Sequence, residues 1–125
     1  MRSGTIVTFA GAFDATSKKG YIVKAGTTAS SCALAAAATT PFLGVLADGL
    51  GDGSSTAYPM GVQIDGVMEV TYGGTVAVGD KLTSDGNGKA IVTTTAGNYL
   101  LGIALEAGSA SEVHPVLRLH GSVPA

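Results

Sequence analysis

Charged and aromatic recognition groups are scarce in this sequence. Only 13% of its 125 residues are charged, the net charge is −2, and tryptophan is absent. Because there is no basic surface, binding of nucleic acid through its phosphates is not expected. Because aromatic residues make up only 6% of the chain, a groove that stacks on sugar rings is poorly supported. These absences leave contacts with other proteins as the natural role of the surface.

Cysteine and long hydrophobic runs are almost missing as well. Cys32 is the single cysteine, so the chain forms no internal disulfide and nothing points to an oxidising compartment. The longest apolar run, CALAAAA at residues 32–38, is far too short to cross a membrane. The first fifteen residues lack the pattern of a signal peptide, since Thr, Gly and Asp interrupt their apolar residues. We therefore expect synthesis in the cytosol and no membrane contact.

Sequence motifs for catalysis, cofactors and metals are not found. The chain has neither a phosphate-binding G-x-x-x-x-G-K-[ST] loop nor a G-x-S-x-G nucleophile turn. His114 and His120 share one face of a predicted strand, but at about 3.3 Å per residue they lie ~20 Å apart and do not bind one metal ion together. We therefore predict no enzyme, no cofactor and no metal site. A pair of acidic residues that only the fold brings together is the remaining enzymatic alternative.

Small and β-branched residues take the place of charged ones. Glycine occurs 19 times, and hydrophobic residues make up 46% of the chain. A surface with so few charges is poorly protected against association, and exposed apolar patches commonly mark contacts between proteins. The composition therefore favours a subunit that lies against other subunits, with an ordinary compact monomer as the alternative.

Strand-forming segments recur at short intervals and are separated by Gly, Asp, Asn and Ser. The segments TIVTF at 5–9, YIVKA at 21–25 and GVQIDGVMEVTY at 61–72 carry β-branched or alternating apolar residues. Residues 80–92 predict a hairpin, because the central Asp-Gly-Asn-Gly tolerates positive φ. The alanine-rich stretch at 30–40 suits a short helix or a strand, and we favour a strand. The chain is thus predicted to be all-β.

One phrase occurs twice and indicates an internal duplication. PFLGVLADG at 41–49 and YLLGIALEAG at 99–108 share an aromatic residue, Leu-Gly and alternating apolar residues. When the two halves are aligned on this phrase, Gly26 corresponds to Gly79, and the gaps fall in turns rich in Gly and Ser. The repeated phrase contains no catalytic residues, so it bears on architecture.

The duplication leads to a prediction for the domain organisation. We expect one domain over residues 1–125, with a first β-unit at 21–72 and a second at 73–125. Two units that face each other would form one closed or nearly closed antiparallel β-barrel, because closure removes the unpaired strand edges that invite aggregation. Residues 1–20 are predicted to form an extended N-terminal arm, or alternatively to supply the first strand of the barrel.

Two segments of the second half resemble a known family. AVGDKLTSDGNGKAIV at 77–92 and LLGIALEAGSASEVHPVLRLHG at 100–121 resemble the strand, Gly-rich hairpin and closing strands of the small capsid decoration proteins, or cement proteins, of tailed bacteriophages. The resemblance extends over residues 18–121. It implies a small β-barrel or β-tulip-like domain without catalytic residues.

The same resemblance implies a structural role in the virion. The protein would decorate the outer surface of an icosahedral capsid, bridge subunits of the major capsid protein and assemble as a homotrimer. An N-terminal arm that pairs with a neighbour's sheet edge would supply the partner-binding residues, which we predict to be Phe9, Phe13, Lys18, Lys19 and Tyr21. The alternative function is a small binding module, on a phage fibre or a cell surface, that recognises a receptor or a glycan.

Overall fold

The described part of the chain is built entirely from β-strands. The structure, a computed structural model, describes residues 4–11, 18–26, 31–49 and 58–124, and these contain ten strands and no helix. The strands are β1 (Ile6–Gly11), β2 (Ile22–Ala25), β3 (Ser31–Leu34), β4 (Gly44–Gly49), β5 (Tyr58–Gln63), β6 (Val67–Thr71), β7 (Lys81–Ser84), β8 (Ala90–Val92), β9 (Gly102–Ala104) and β10 (Val113–Arg118). The all-β prediction is confirmed.

Two local predictions are also confirmed. The hairpin predicted at 80–92 consists of β7 and β8, which pair antiparallel with Leu82 opposite Val92. The alanine-rich stretch begins as strand β3, which pairs antiparallel with β2, and residues 35–43 follow without regular structure. The strand predicted for residues 30–40 is confirmed at Ser31–Leu34 and does not extend over the alanine residues that follow.

The first sheet contains β1 to β5 in the order β1-β3-β2-β4-β5. β1 pairs antiparallel with β5 from Ile6 to Gly11. The end of β1 also pairs in parallel with Ser31 and Cys32 at the start of β3. Each strand therefore has a partner on both sides, and the pairing runs in a ring. The segment predicted as either an arm or a first strand thus supplies, from residue 6 to residue 11, a strand of this ring.

The second sheet repeats the pairing scheme of the first. It contains β6 to β10 in the order β6-β10-β9-β7-β8. Its antiparallel pairs are those of the first sheet with five added to each strand number, so that β1·β5 becomes β6·β10 and β2·β4 becomes β7·β9. The parallel contact that completes the ring of the first sheet has a counterpart in the isolated bridge between Tyr72 and Ala90. The first unit of the structure is thus β1 to β5 and the second is β6 to β10, and the two share one topology. The boundary between them lies between Gln63 and Val67, earlier than the predicted boundary after residue 72.

The arrangement of the units differs from a single barrel made by both. Each unit forms its own five-stranded sheet, and the two sheets do not together close one barrel. The chain passes from one sheet to the other between Gln63 and Val67. Gly79 is equivalent to Gly20 and not to Gly26, since the N–H groups of Gly20 and Gly79 each donate to β4 or β9 over 2.8 Å. The predicted match of Gly26 with Gly79 is therefore wrong, because glycine-rich turns resemble one another in sequence.

The repeated Leu-Gly marks an equivalent close approach in both units. Gly44 begins β4 and Gly102 begins β9. A Cβ atom at Gly44 would collide with the carbonyl oxygen of Gln63, and one at Gly102 with that of Leu117. Only glycine permits this separation between neighbouring strands, so the repeated phrase has a steric origin.

The largest cluster of buried hydrophobic residues takes members from both sheets. The first unit contributes Ile22, Ala35, Phe42 and Val45, and the second contributes Met68, Val70, Tyr72, Val76, Leu82, Ala90, Leu101, Ala104 and Val116. A second cluster belongs to the first unit alone and contains Val23, Cys32, Leu46 and Val62. Neighbouring residues of β2 thus belong to different clusters, because successive side chains of a strand point to opposite faces.

A buried guanidinium joins the two units. Arg118, on β10, is 8% exposed. Its Nη2 donates to the carbonyl oxygen of Phe42 in the first unit over 2.9 Å. Its Nη1 lies within donating distance of the carbonyl oxygens of Leu100, Leu101 and Leu119, at 3.2, 3.1 and 2.9 Å. Contacts of this kind fix the position of one sheet relative to the other.

Candidate partner-binding groove

The five residues predicted to bind a partner lie in different surroundings. Phe9, on β1, is half-buried and packs against the cluster of the first unit. Phe13 lies outside the described residues. Lys19 is exposed, whereas Lys18 and Tyr21 are half-buried and line a groove on the surface. The structure therefore brings two of the five predicted residues together.

The turn that leads into β2 holds Lys18 and Tyr21 in place. The N–H of Tyr21 donates to the carbonyl oxygen of Lys18 over 3.1 Å. The carbonyl oxygen of Lys19 accepts from the hydroxyl of Thr71 in the second unit over 2.9 Å. The N–H of Thr71 donates to the carbonyl oxygen of Gly20. These hydrogen bonds hold the backbone of the turn in place, and they thereby fix the positions from which the side chains of Lys18 and Tyr21 extend.

The opposite wall of the groove is the turn between β7 and β8. Oδ1 of Asp85 accepts the N–H groups of Asn87 and Lys89 over 2.8 and 3.0 Å, which closes the turn. The carbonyl oxygen of Gly88 accepts the N–H of Ile22 in β2 over 2.6 Å. The hairpin of the second unit is therefore docked on the first unit.

Between these two turns lies a groove of roughly 330 Å³. It is lined by Lys18, Tyr21, Leu34, Ala35, Ala36, Gly86, Asn87 and Lys89. Residues of β3 and the segment that follows it form an apolar floor, and polar groups come from the two turns. Both units contribute to the lining, so the groove exists only in the folded chain.

Two lysine ammonium groups surround one aromatic ring in the groove. Nζ of Lys18 lies 5.7 Å from the ring centre of Tyr21, and Nζ of Lys89 lies 5.8 Å from it. Both distances are within the range of a cation–π contact. Within the described part of the chain, no carboxylate forms an ion pair with either ammonium group. The groove therefore presents positive charge on the surface of a chain whose net charge is −2.

A second polar cluster was not predicted from the sequence. The Nδ1 of His114 lies 2.8 Å from Oε1 of Glu106, and its Nε2 lies 3.0 Å from Oε1 of Glu112. These hydrogen bonds, first to Glu106 and then to Glu112, raise the pKa of His114 above its ordinary value. The bond to His114, followed by that from the N–H of Ser109, lowers the pKa of Glu112. The sequence offered Glu106, Glu112 and His114 close together, but acidic residues near turns are usually solvated, so the cluster was not predicted.

Tyr72 supports this cluster from the core. Its hydroxyl donates to the carbonyl oxygen of Glu106 over 2.7 Å, and its ring centre lies 5.1 Å from that of His114. Burial raises the pKa of Tyr72 to about 12, with further contributions from the charges of Glu106 and Asp80. The hydroxyl therefore stays protonated at neutral pH and keeps donating, which ties the loop after β9 to the core.

The outward face of the second sheet carries exposed apolar residues. The register places Val67, Leu117 and Ile103 side by side on β6, β10 and β9. Leu117 is 40% exposed, and Val113, further along β10, is 50% exposed. Val67 and Ile103 are half-buried beside the exposed Leu117. Exposed apolar residues are typical of a surface that contacts other proteins.

Among the described residues, no group of three or more His, Cys, Asp or Glu is arranged to hold a metal ion. The same part of the chain contains no helix that is long and apolar enough to cross a membrane.

The fold of this chain is similar to that of a solved phage protein. It is similar to the crystal structure of the head fiber gp8.5 N base in bacteriophage phi29, with a TM-score of 0.71 and 16% sequence identity over 97% of this chain and 98% of that chain. At this identity the likeness concerns the fold. No curated protein matches the chain.

The family follows from the sequence itself. The model of the phage cement protein family matches residues 1–119. The chain therefore belongs to the phage cement protein family, and it is a structural protein of a phage virion. The resemblance seen in the Gly-rich hairpin and the closing strands is confirmed.

Proposed function

We propose that this protein decorates the outer surface of an icosahedral phage capsid and stabilises the shell by bridging neighbouring subunits of the major capsid protein. The observation that carries the proposal is the match of the cement family over residues 1–119. The fold supports it, because two sheets that share one core form a stiff body suited to spanning a joint.

The physical requirement on such a protein is contact area rather than reactivity. A decorating subunit stabilises a shell when it touches two shell subunits at once, since parting them then breaks both contacts. Many copies act together, so that modest affinity at each site adds up to strong resistance against rupture. The exposed apolar residues on the outward face of the second sheet, such as Val113 and Leu117, supply surface for such contacts.

We further propose that the protein assembles as a homotrimer. Trimers suit the local three-fold positions of an icosahedral shell, because a closed cyclic oligomer presents the same contacts to each neighbouring subunit. The low charge and the exposed apolar residues of the second sheet favour association. Sedimentation equilibrium of the purified chain measures the oligomeric state, and a monomer at the concentrations that saturate capsids would contradict this part of the proposal.

Co-sedimentation with capsids tests the function directly. Purified protein is mixed with closed, expanded capsids that lack it, and we expect saturable binding together with a higher temperature of shell rupture. Because added protein reaches only the outer face of a closed shell, binding would also show that the protein attaches to the outer surface. Failure to bind expanded shells, combined with binding to host cells or to a glycan, would overturn the proposal in favour of a receptor-binding module.

A further inference from the structure

The groove between the two turns has an unbalanced charge. Its lining residues provide two ammonium groups, from Lys18 and Lys89, and the carboxylate of Asp85 in the same turn is bound to the N–H groups of Asn87 and Lys89. Both ammonium groups lie within 5.8 Å of the ring centre of Tyr21, so they are at most about twice that distance apart. Two like charges at this distance repel each other, and an anion placed between them removes the repulsion.

The shape of the groove limits what the anion can be. A volume of roughly 330 Å³ lies at the lower end of the range of ligand pockets, so it accommodates one or two side chains and not a folded domain. Leu34 and Ala36 offer apolar contact for a methylene stem, and Asn87 adds an exposed amide beside the two ammonium groups. A carboxylate on a short apolar stem, as in glutamate, matches both parts.

The walls of the groove are fixed before any partner arrives. Backbone hydrogen bonds hold the turn at Lys18–Tyr21 to the second unit, and the carbonyl oxygen of Gly88 holds the hairpin turn to β2. Binding therefore orders two lysine side chains and leaves the backbone as it is. A pre-organised site of this kind keeps more of its contact energy as affinity.

From these observations we propose that the groove docks an acidic segment of the major capsid protein, whose carboxylate lies between Lys18 and Lys89 beside the ring of Tyr21. This inference rests on the proposed function and names the chemistry of one contact with the shell. A long polyanion such as nucleic acid is disfavoured, because the chain as a whole is negatively charged. The acidic pair of a second copy is disfavoured as well, because Glu106 and Glu112 are already bound to His114.

The first test compares two double variants in capsid binding. Lys18→Gln with Lys89→Gln removes both groove cations, and Lys24→Gln with Lys81→Gln removes two cations that do not line the groove. Both double variants lose the same net charge, so long-range effects cancel. We expect about tenfold weaker capsid binding for the groove variant and a change of less than about twofold for the control. Equal binding by the groove variant and the wild type would overturn the inference.

The second test needs no capsid. The probes are an acidic hexapeptide of alternating glutamate and serine and its glutamine counterpart, added at low salt to the purified protein. We expect the NMR signals of the Tyr21 ring to shift with the glutamate peptide only, and the shift to vanish in the Lys18→Gln, Lys89→Gln variant and at high salt. Equal shifts with both peptides, or no shift, would overturn the inference.

The two tests separate the failure of the groove from the failure of the function. If the wild type does not bind capsids, the proposed function fails, and the peptide experiment still decides whether the groove takes a carboxylate. If the groove variant binds capsids normally but loses its oligomeric state in sedimentation, the occupant is a second copy and the inference is wrong. A shift of the Tyr21 signals with nucleotide phosphates but not with the glutamate peptide would likewise overturn it.

Discussion

At the scale of single residues, Arg118 is a buried guanidinium whose hydrogen bonds reach both units. Its guanidinium donates to carbonyl oxygens of the second unit and to that of Phe42 in the first. Burial lowers the pKa of Arg118, although an arginine side chain stays protonated in proteins. A planar group with several fixed donors reaches carbonyls in different directions, which a lysine ammonium group does not.

We predict that Arg118→Lys lowers the free energy of unfolding by about 3 kcal/mol, because hydrogen bonds from a charged donor contribute roughly 1.5–3 kcal/mol each and buried carbonyls lose their donor. Urea unfolding followed by circular dichroism measures the change. The exposed substitution Lys81→Met is the control, and we expect it to stay within about 0.5 kcal/mol of the wild type. A similar small effect of Arg118→Lys would show that the guanidinium does not hold the units together.

His114 gives a second residue-scale prediction, on the pH dependence of stability. The carboxylates of Glu106 and Glu112 raise the pKa of His114 above 6.5 in the folded state, so the folded protein holds the proton more tightly than the unfolded chain. The stabilisation is therefore complete below pH 6.5 and is lost as the pH rises through the raised pKa. On the acid side, the lowered pKa of Glu112 means that its contribution is lost as the pH falls below 4.5.

The measurement compares the wild type with His114→Gln across this range. We expect the difference in urea midpoint to be largest between pH 4.5 and 6.5 and to shrink above neutral pH, where the ring of the wild type loses its charge. The titration of the His114 ring by NMR gives its pKa directly. A difference that stays constant from pH 5 to pH 9 would show that the two contacts with glutamate do not stabilise the folded state.

At the scale of elements, the sequence predicts those strands and turns that depend on residues close together in the chain. The hairpin at 80–92 can be predicted from its Asp-Gly-Asn-Gly centre. The duplication can be detected because both units need glycine at the equivalent positions 44 and 102. The pairing partners of β1 do not follow, because they lie at residues 31–32 and 58–63, far along the chain. Nothing in the strand TIVTF distinguishes pairing within its own ring from pairing with a neighbour's sheet edge, since any unpaired edge accepts a strand.

The docking of the β7–β8 turn on the first unit gives a prediction at this scale. Gly88 and Gly79 have nearly equal φ angles of +82° and +87°, but a Cβ at Gly88 would lie 3.1 Å from the carbonyl oxygen of Ile22 and 3.2 Å from Leu34, whereas nothing lies near Gly79. We predict that Gly79→Ala costs about 1 kcal/mol through backbone strain alone and that Gly88→Ala costs about 2–3 kcal/mol. Urea unfolding measures both, and equal costs would show that the turn does not press against β2.

At the scale of the whole molecule, the groove is a product of how the units pack. Lys18 and Tyr21 could be selected from the sequence because Lys18 lies in the predicted arm at residues 1–20 and Tyr21 directly follows it, but Lys89 could not. The sequence of the hairpin turn predicts that Lys89 is exposed to solvent. In the structure, hydrogen bonds from the N–H of Ile22 to Gly88 and from the hydroxyl of Ser84 to Ala35 bring the hairpin against the first unit. The site therefore depends on contacts between units that carry no local sequence pattern.

The shared core also determines how the protein unfolds. Because both units contribute to one buried cluster, we predict that they unfold in a single transition. Cys32 reports on the first unit: its thiol is fully buried, burial raises its pKa, and a thiol reagent therefore reacts with it only after the ring opens. The NMR signal of the His114 ring reports on the second unit.

The urea midpoint of Cys32 labelling should coincide with the midpoint at which His114 loses its native signal, and Arg118→Lys should shift both midpoints downward by the same amount. The variant serves as the sharper probe, because Arg118 donates one hydrogen bond to Phe42 in the first unit and three to carbonyl oxygens of the second. If Cys32 instead reacted at a urea concentration where His114 kept its native signal, the units would be independent. A groove whose walls come from both units would then open before the rest of the molecule, and the protein would bridge its neighbours with two loosely joined bodies in place of one stiff one.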